Sequence, residues 1–309
     1  MRRFTACYFA GLILRGLCSG GSSCHIRAKR PPLPGQMTRI VPASGRGSGF
    51  AIAWQEGEKI FLHRRADNCA PDGAPALVAD EPDFWAMPDA GGLADVAALG
   101  GPGPAAAYAV AWVLNGGVWV RVVGPAGPLG PAVRANEPPL SVHRAQVRLA
   151  GGWRGHRGFV VAWSSWQQDG DAWGVFARYF GGDGLPVGPE SQVNTEWRRF
   201  QWQPQLALCG ASAGDTHGTV WALWANGSGT PCSGPTPPGD CANGPVLRNL
   251  SGWLAAPSAG PAAAKPEEVS MGGTRPLAAA LACAGGGSEG AMALWLEDGG
   301  RKVVGQLVG

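Results

Sequence analysis

Five apolar five-residue runs, each ending in tryptophan, recur along this chain at residues 50–54, 108–112, 159–163, 220–224 and 291–295. Their tryptophans lie 58, 51, 61 and 71 residues apart. A short run that is apolar at nearly every position and bounded by polar residues is typical of a strand buried on both faces. The chain must therefore place a further layer against each side of these runs.

Shorter strand candidates flank the runs in a repeated order. One precedes each run, at 39–41, 95–99, 146–149, 205–208 and 277–282. Third strands are predicted at 60–64, 118–122, 175–179 and 303–307, and fourth strands at 76–80, 132–136, 191–195 and 246–250. Four antiparallel strands in a unit that repeats are typical of an all-β β-propeller, here of about five blades with the last blade incomplete. A long β-sandwich is the alternative, but sandwiches do not repeat their sequence in this way.

Composition supports an ordered all-β chain. The 309 residues include 50 Gly and 27 Pro, a content close to that of disordered segments. Fourteen Trp argue against disorder, because such large apolar side chains are seldom left in water. Gly and Pro then supply turns between many short strands.

The predicted units cover most of the chain. Residues 1–36 are expected to be a signal or targeting segment with a linker, and 37–309 the propeller. The expected units are about 37–81, 82–137, 138–196, 197–251 and 274–309, with 252–273 as an inserted loop rich in Ala, Pro and Gly.

A polar residue occupies the same register in each predicted third strand: His63, Arg121, Arg178 and Gln306. This polar ring has two interpretations. The repeated register favours a structural role in pairing neighbouring blades over a role in ligand binding.

The third unit resembles the tandem propeller-like repeats of large secreted and surface bacterial proteins. The resemblance rests on Trp-Ser-Ser at 163–165, Gln-Asp-Gly at 168–170, the strand at 175–180, Asp-Gly-Leu-Pro-Val-Gly at 183–188 and Gln-Val-Asn-Thr at 192–195. It is specific in this unit, recognisable in the first two and eroded in the last two, over residues 38–309. It implies a secreted adhesion or scaffold-like role and carries no assigned catalytic residue.

The N-terminal segment has the layout of a secretory signal peptide. Basic residues at positions 2 and 3 precede an apolar run at 4–14 and small residues at 18–23. An organelle transit peptide is the alternative, and the run is too short to span a bilayer as a helix. Six of the 25 basic residues lie in 1–36, which leaves 19 against 22 acidic residues and no basic stripe that would bind nucleic acid.

Cysteine usage fits an extracellular or cell-surface location without requiring it. Eight cysteines occur, and six follow position 18. Cys232 and Cys241 bracket a Pro/Gly-rich loop and are predicted to form a disulfide; reduced, buried thiols are the alternative. Asn226 and Asn249 begin glycosylation sequons, which matter only in a secreted eukaryotic protein.

Enzyme and metal signatures are weak. The sequence has no Gly-x-Ser-x-Gly elbow, no phosphate loop and no Cys-x-x-Cys or His-x-x-x-His pair. No cofactor is expected, although Asp169, Asp171 and Asp183 lie in turns and offer oxygen ligands of the kind that calcium binds. Ordinary Asp-Gly turn chemistry explains them equally. The sequence does not select two carboxylates for glycoside hydrolysis from its candidates, Asp83, Asp89, Asp169, Asp171 and Glu196.

Tryptophans gather on one predicted face of the propeller. The turns between second and third strands and the links between units emerge on the same side, and they carry Trp85, Trp166, Trp197, Arg198, Arg199, Trp202 and Trp253. Flat aromatic rings beside arginine favour a glycan or protein binding surface, unless the rings fill the junctions between blades. We expect a non-enzymatic binding module, with a glycoside hydrolase or lyase and a structural subunit of a larger assembly as alternatives.

Overall fold

The computed structural model describes residues 15–17, 23–25, 38–42, 49–66, 70–80, 92–99, 106–137, 144–151, 158–198, 200–210, 219–227, 244–250, 269–271, 279–283, 290–297 and 302–308. Their regular secondary structure consists of β-strands. Within those residues, no helix has the length and apolar character that crossing a bilayer requires. Two short strands pair as an antiparallel hairpin near the N-terminus: β1 (Arg15–Leu17) and β2 (Ser23–His25).

The other strands form five antiparallel sheets that follow one another along the chain, and each contains one tryptophan-ended run as its second strand. Sheet 1 contains β3 (Thr38–Pro42), β4 (Phe50–Glu56), β5 (Lys59–Arg65) and β6 (Ala76–Asp80). Sheet 2 contains β7 (Gly92–Ala98), β8 (Tyr108–Leu114), β9 (Gly117–Gly124), β10 (Gly127–Pro128) and β11 (Val133–Arg134), the last two both pairing with β9.

The remaining three sheets repeat this order. Sheet 3 contains β12 (Arg144–Gly151), β13 (Phe159–Trp166), β14 (Trp173–Phe180) and β15 (Ser191–Gln192). Sheet 4 contains β16 (Phe200–Cys209), β17 (Thr219–Gly227), β18 (Gly244–Asn249) and β19 (Val269–Ser270). Sheet 5 contains β20 (Ala279–Cys283), β21 (Ala291–Glu297) and β22 (Lys302–Val308). The all-β prediction is confirmed.

Consecutive sheets pack face to face in chain order. The first strands of successive sheets contact one another, from β3 to β7, then to β12, β16 and β20. Four hydrophobic clusters make up most of the described core, and each combines residues of two consecutive sheets. The sheets therefore cover one another's apolar faces, as doubly buried strands require.

Alternation along each run decides which neighbour its residues meet. We call the face that carries the first, third and fifth run residues the front face, and the opposite face the back face. The fifth residue is the tryptophan, and Trp112, Trp163 and Trp224 each lie in the cluster shared with the preceding sheet. They are 0 to 1% exposed. Burying an aromatic side chain of this size contributes about 4–6 kcal/mol before the entropic cost of folding.

One predicted strand has a different place in its sheet. Residues 246–250 were expected to form a fourth strand, but β18 is the third strand of sheet 4, because it lies between β17 and β19. The fourth strand is β19, within the segment 252–273 that the sequence indicated as an inserted loop. A long segment separates β17 and β18 in the sequence, so their direct pairing could not be predicted from their spacing.

Candidate functional site

The polar position of the third strands is equivalent in all five sheets. His63, Arg121, Arg178 and Gln306 each pair across the sheet with the third residue of the preceding run. In sheet 4 this position belongs to Arg248, which pairs with Ala222 and which the sequence analysis missed. Directly opposed residues in an antiparallel pair share a face, so this side chain lies on the front face.

Two arginines at this position bind backbone carbonyls in the same way. Arg121 donates from Nε to the Gly130 carbonyl at 2.7 Å and from Nη1 to the Val78 carbonyl at 2.7 Å. Val78 belongs to the preceding sheet, so this bond crosses the junction between sheets 1 and 2. Each guanidinium of this kind therefore ties its own loop to the sheet before it.

Arg178 repeats the arrangement at the next junction. It donates to the Gly188 carbonyl at 2.8 Å and to the Ala135 carbonyl, which follows the last strand of sheet 2, at 3.1 Å. Its Nη2 also lies 3.1 Å from Glu137 Oε1. Arg248 donates to the Val193 carbonyl across the junction between sheets 3 and 4.

The end sheets keep less of this pattern. His63 Nε2 donates to the Gly73 carbonyl at 3.0 Å, which ties the loop as Arg121 and Arg178 do. Burial lowers the pKa of His63, and the nearby positive charge of Arg65 lowers it further, while the Gly73 carbonyl and Asp72 act in the opposite direction. Gln306 is exposed. In sheets 1 to 4, the side chain at this position donates to backbone carbonyls.

A second set of polar groups lies along the first strands, and the sequence analysis did not identify it. Asp95 Oδ1 lies 3.8 Å from Arg39 Nε of sheet 1, and Asp95 Oδ2 accepts the Leu149 N–H of sheet 3 at 2.9 Å. Arg148 Nε donates to Gln205 Oε1 of sheet 4 at 3.2 Å. Burial raises the pKa of Asp95, whereas the hydrogen bond from the Leu149 N–H and the positive charges of Arg148 and Arg39 lower it. The sequence signal that could have identified this set is that Arg39, Asp95 and Gln205 each begin a predicted first strand.

An aromatic cluster forms where sheet 3 meets the start of sheet 4. It consists of Trp166, Trp173, Phe200 and Trp202. The Trp166 ring lies edge-on to Trp173 at 5.6 Å between centroids and 6.0 Å from Phe200. Trp166 and Trp173 pair directly across β13 and β14, beside the turn between second and third strands. The structure thus brings Trp166 and Trp202 together, as rings that are partly buried at a junction.

The link that leads into β16 carries an exposed tryptophan. Trp197 is 46% exposed, and the Arg198 guanidinium lies over its ring at 5.3 Å from the centroid. Phe200 follows Trp197 by three residues, so their Cα atoms lie within about 11 Å of each other. Trp197 therefore lies in the segment that leads directly into the aromatic cluster.

Buried amides hold this link in place. Asn194 Oδ1 accepts the Val175 N–H at 2.7 Å, and its Nδ2 donates to the Glu196 carbonyl at 2.8 Å and to Gln201 Oε1 at 3.2 Å. Gln201 Nε2 donates to the Arg198 carbonyl at 2.7 Å. Because Asn194 and Gln201 are 4% and 1% exposed, these bonds are shielded from water and fix the backbone on both sides of Trp197.

Amides and carboxylates border the cluster on the sheet 3 side. Asp169 Oδ2 accepts a hydrogen bond from Gln192 Nε2 at 3.3 Å, and Gln168 Nε2 donates to Glu190. Asp169 lies against Gly174, where a Cβ atom would come within 2.4 Å of its Oδ2. Burial raises the pKa of Asp169.

Two of the three turn aspartates considered for calcium, Asp169 and Asp183, accept backbone hydrogen bonds in this structure. Asp169 Oδ1 accepts the Asp171 N–H at 3.5 Å, and Asp183 Oδ1 accepts the Leu185 N–H at 3.0 Å. Across the described ranges, no group of three or more His, Cys, Asp or Glu side chains is placed to hold a metal ion.

Several predicted site residues lie outside the described residues: Trp85, Arg199, Trp253, Cys232 and Cys241. The disulfide that the structure shows is Cys209–Cys283, with 5.0 Å between Cα atoms. It joins the first strands of sheets 4 and 5, a pairing that spacing along the sequence did not suggest.

The fold defines this chain as an all-β protein of consecutive antiparallel sheets. No protein-family model and no curated protein matches it. Among solved structures, it is similar to the crystal structure of a xylan beta-1,4-xylosidase from Bacillus halodurans C-125, with a TM-score of 0.42 and 13% sequence identity. The match covers 92% of this chain and 55% of that chain, so this chain spans about half the length of the xylosidase.

Proposed function

We propose that the five sheets are blades of a propeller-type arrangement and that the chain is a binding module that recognises a glycan through Trp197 and the aromatic cluster. The contacts between successive first strands support the radial arrangement, because the blades of a propeller surround a common centre. The repeated front-to-back junctions support it as well.

The observation that carries the binding role is the exposed Trp197 ring on a backbone fixed by Asn194 and Gln201. A large apolar ring left in water is costly unless a ligand covers it, and a ring on a fixed backbone loses little entropy when it binds. The Arg198 guanidinium lies over the ring and orients it further.

The groups beside the cluster favour a polyhydroxylated ligand. Gln168, Asp169 and Gln192 offer amide and carboxylate groups next to Trp166 and Trp173. Sugar rings present an apolar face that stacks on indole and hydroxyls that exchange hydrogen bonds with such groups. We place the protein outside the cell or on the cell surface, with an organelle as the alternative; the Cys209–Cys283 disulfide supports an oxidising compartment.

A glycan array tests this proposal. Wild type is compared with Trp197→Ala, Trp202→Ala and the matched control Leu185→Ala, whose residue is 55% exposed in the turn between β14 and β15, at the other end of sheet 3. We expect the tryptophan variants to lose about five- to thirtyfold in affinity for any glycan that the wild type binds, because one aromatic contact contributes about 1–2 kcal/mol. The control should bind normally.

Three results contradict the proposal. Unchanged binding by both tryptophan variants would remove this face from consideration. Capture of a protein without any glycan binding would indicate protein recognition instead. Release of reducing sugar ends by the wild type but not by Asp169→Asn would indicate a glycoside hydrolase.

A further inference from the structure

The two end sheets each present an apolar face that is partly exposed. At the fourth run position, Ala53, Ala111, Ala162 and Leu223 of sheets 1 to 4 are 0% exposed, whereas Leu294 of sheet 5 is 39% exposed. This position lies on the back face, which the next sheet covers in sheets 1 to 4. Among the residues that the structure describes, no further sheet packs on the back face of sheet 5.

The third strands show the same difference. Three residues before the polar position, Ile60, Val118 and Val175 are 0% exposed, whereas Val303 of β22 is 68% exposed. Val303 pairs with Leu296, which follows the run directly and lies two residues after Leu294, so Val303 is on the back face with Leu294. Leu307 of the same strand is 61% exposed. It pairs with Met292, the second residue of the run, so it also lies on the back face.

The front face of sheet 1 is the complementary surface. Trp54 and Phe61 stack at 5.4 Å there, at positions where the other sheets bury their residues against a preceding sheet. Ile40 and Leu77 lie on the same face, opposite Ile52 and Phe61, and are 38% and 41% exposed.

We propose that these two end faces bind each other between copies of the chain, so that the back face of sheet 5 of one copy covers the front face of sheet 1 of another. The contact continues a junction that the chain already forms four times, always front to back. Both faces carry exposed apolar side chains in a single copy, so they do not cover each other completely within it. A front-to-back contact is heterologous, so it propagates rather than stopping at a dimer.

Sedimentation velocity on the full chain over a hundredfold concentration range tests this. We expect the average mass of the wild type to rise with concentration beyond that of a dimer. The back-face variant Val303→Glu/Leu307→Glu and the front-face variant Ile40→Lys/Leu77→Lys should each remain monomeric. Leu129→Glu, at an exposed position of sheet 2, is the matched control and should associate like the wild type.

Mixing gives the sharpest result. The back-face variant retains an intact front face, and the front-face variant retains an intact back face. An equimolar mixture should therefore form a one-to-one complex and stop there.

Three outcomes overturn the proposal. A wild type that is monomeric at every concentration has no such contact. A back-face variant that still dimerises alone uses a symmetric contact. Variants that are monomeric like the wild type but melt at a lower temperature would show that the two faces meet within one chain.

Discussion

Replacing Arg178 by Met should destabilise the junction between sheets 2 and 3. The side chain is 15% exposed and donates to the carbonyls of Gly188 and Ala135. A hydrogen bond to a charged group contributes about 1.5–3 kcal/mol, and loss of the donor also leaves both acceptors in a poorly hydrated junction. Because water reaches part of the site, we expect each of the two bonds to contribute about 1.5 kcal/mol, so that the variant loses about 3 kcal/mol in its free energy of unfolding.

Urea unfolding followed by tryptophan fluorescence measures this loss as a lower midpoint. Lys59→Met is the matched control, because it removes a cation of similar length from an ion pair with Asp80 in which both side chains are half exposed. Such a pair contributes at most about 1 kcal/mol. Arg178→Lys should fall between the two, since an ammonium group cannot reproduce the fork of a guanidinium.

Amide hydrogen exchange locates the effect. Protection should fall in β11, β14 and the loop that contains Gly188, and remain unchanged in sheet 5, which the substituted side chain does not contact. If Arg178→Met costs no more than Lys59→Met, or if protection falls equally in all sheets, the interpretation of this position as a junction tie is wrong.

Two further predictions concern pH and redox state. The lowered pKa of His63 means that the unfolded chain binds the proton more readily than the folded chain, so the free energy of unfolding should fall as pH drops below about 6.5, the ordinary pKa of histidine. His63→Gln should weaken this pH dependence in urea titrations from pH 7.5 to 5. An identical pH dependence in the variant would contradict the prediction. Cys209 and Cys283 are 74 residues apart, so the double Ala variant should lose up to about 4 kcal/mol. Peptide mapping without reductant should recover the linked pair, and its absence would refute the pairing.

The repeat could be predicted from sequence because its signals are local. Each run is a short apolar segment with its tryptophan in the same place, and the polar residue follows that tryptophan by 9 residues in sheets 1 and 2 and by 15 residues in sheet 3. The polar position of sheet 4 was not predicted, because a long segment separates β17 from β18 and Arg248 was therefore assigned to a fourth strand. Period-two alternation identifies a strand but not its neighbours.

The aromatic cluster could be predicted only in part, and the reason lies in the first strands. The register of β16 shifts between Trp202 and Gln205, where Gln203 has a φ of +56°. A bulge of this kind adds one residue to the strand, so alternation counted from Leu206 no longer gives the face that Trp202 occupies. No glycine marks the position in the sequence.

The neighbouring sheet stabilises this bulge. Gln146 of β12 has the same φ of +56°, and its Oε1 accepts the Gln203 N–H at 2.9 Å and the Ser164 hydroxyl at 2.9 Å. The left-handed conformation of Gln203 is thus compensated by a side chain from another sheet. The position of Trp202, and with it the proposed ligand surface, depends on a contact between units, which the sequence of a single unit does not contain.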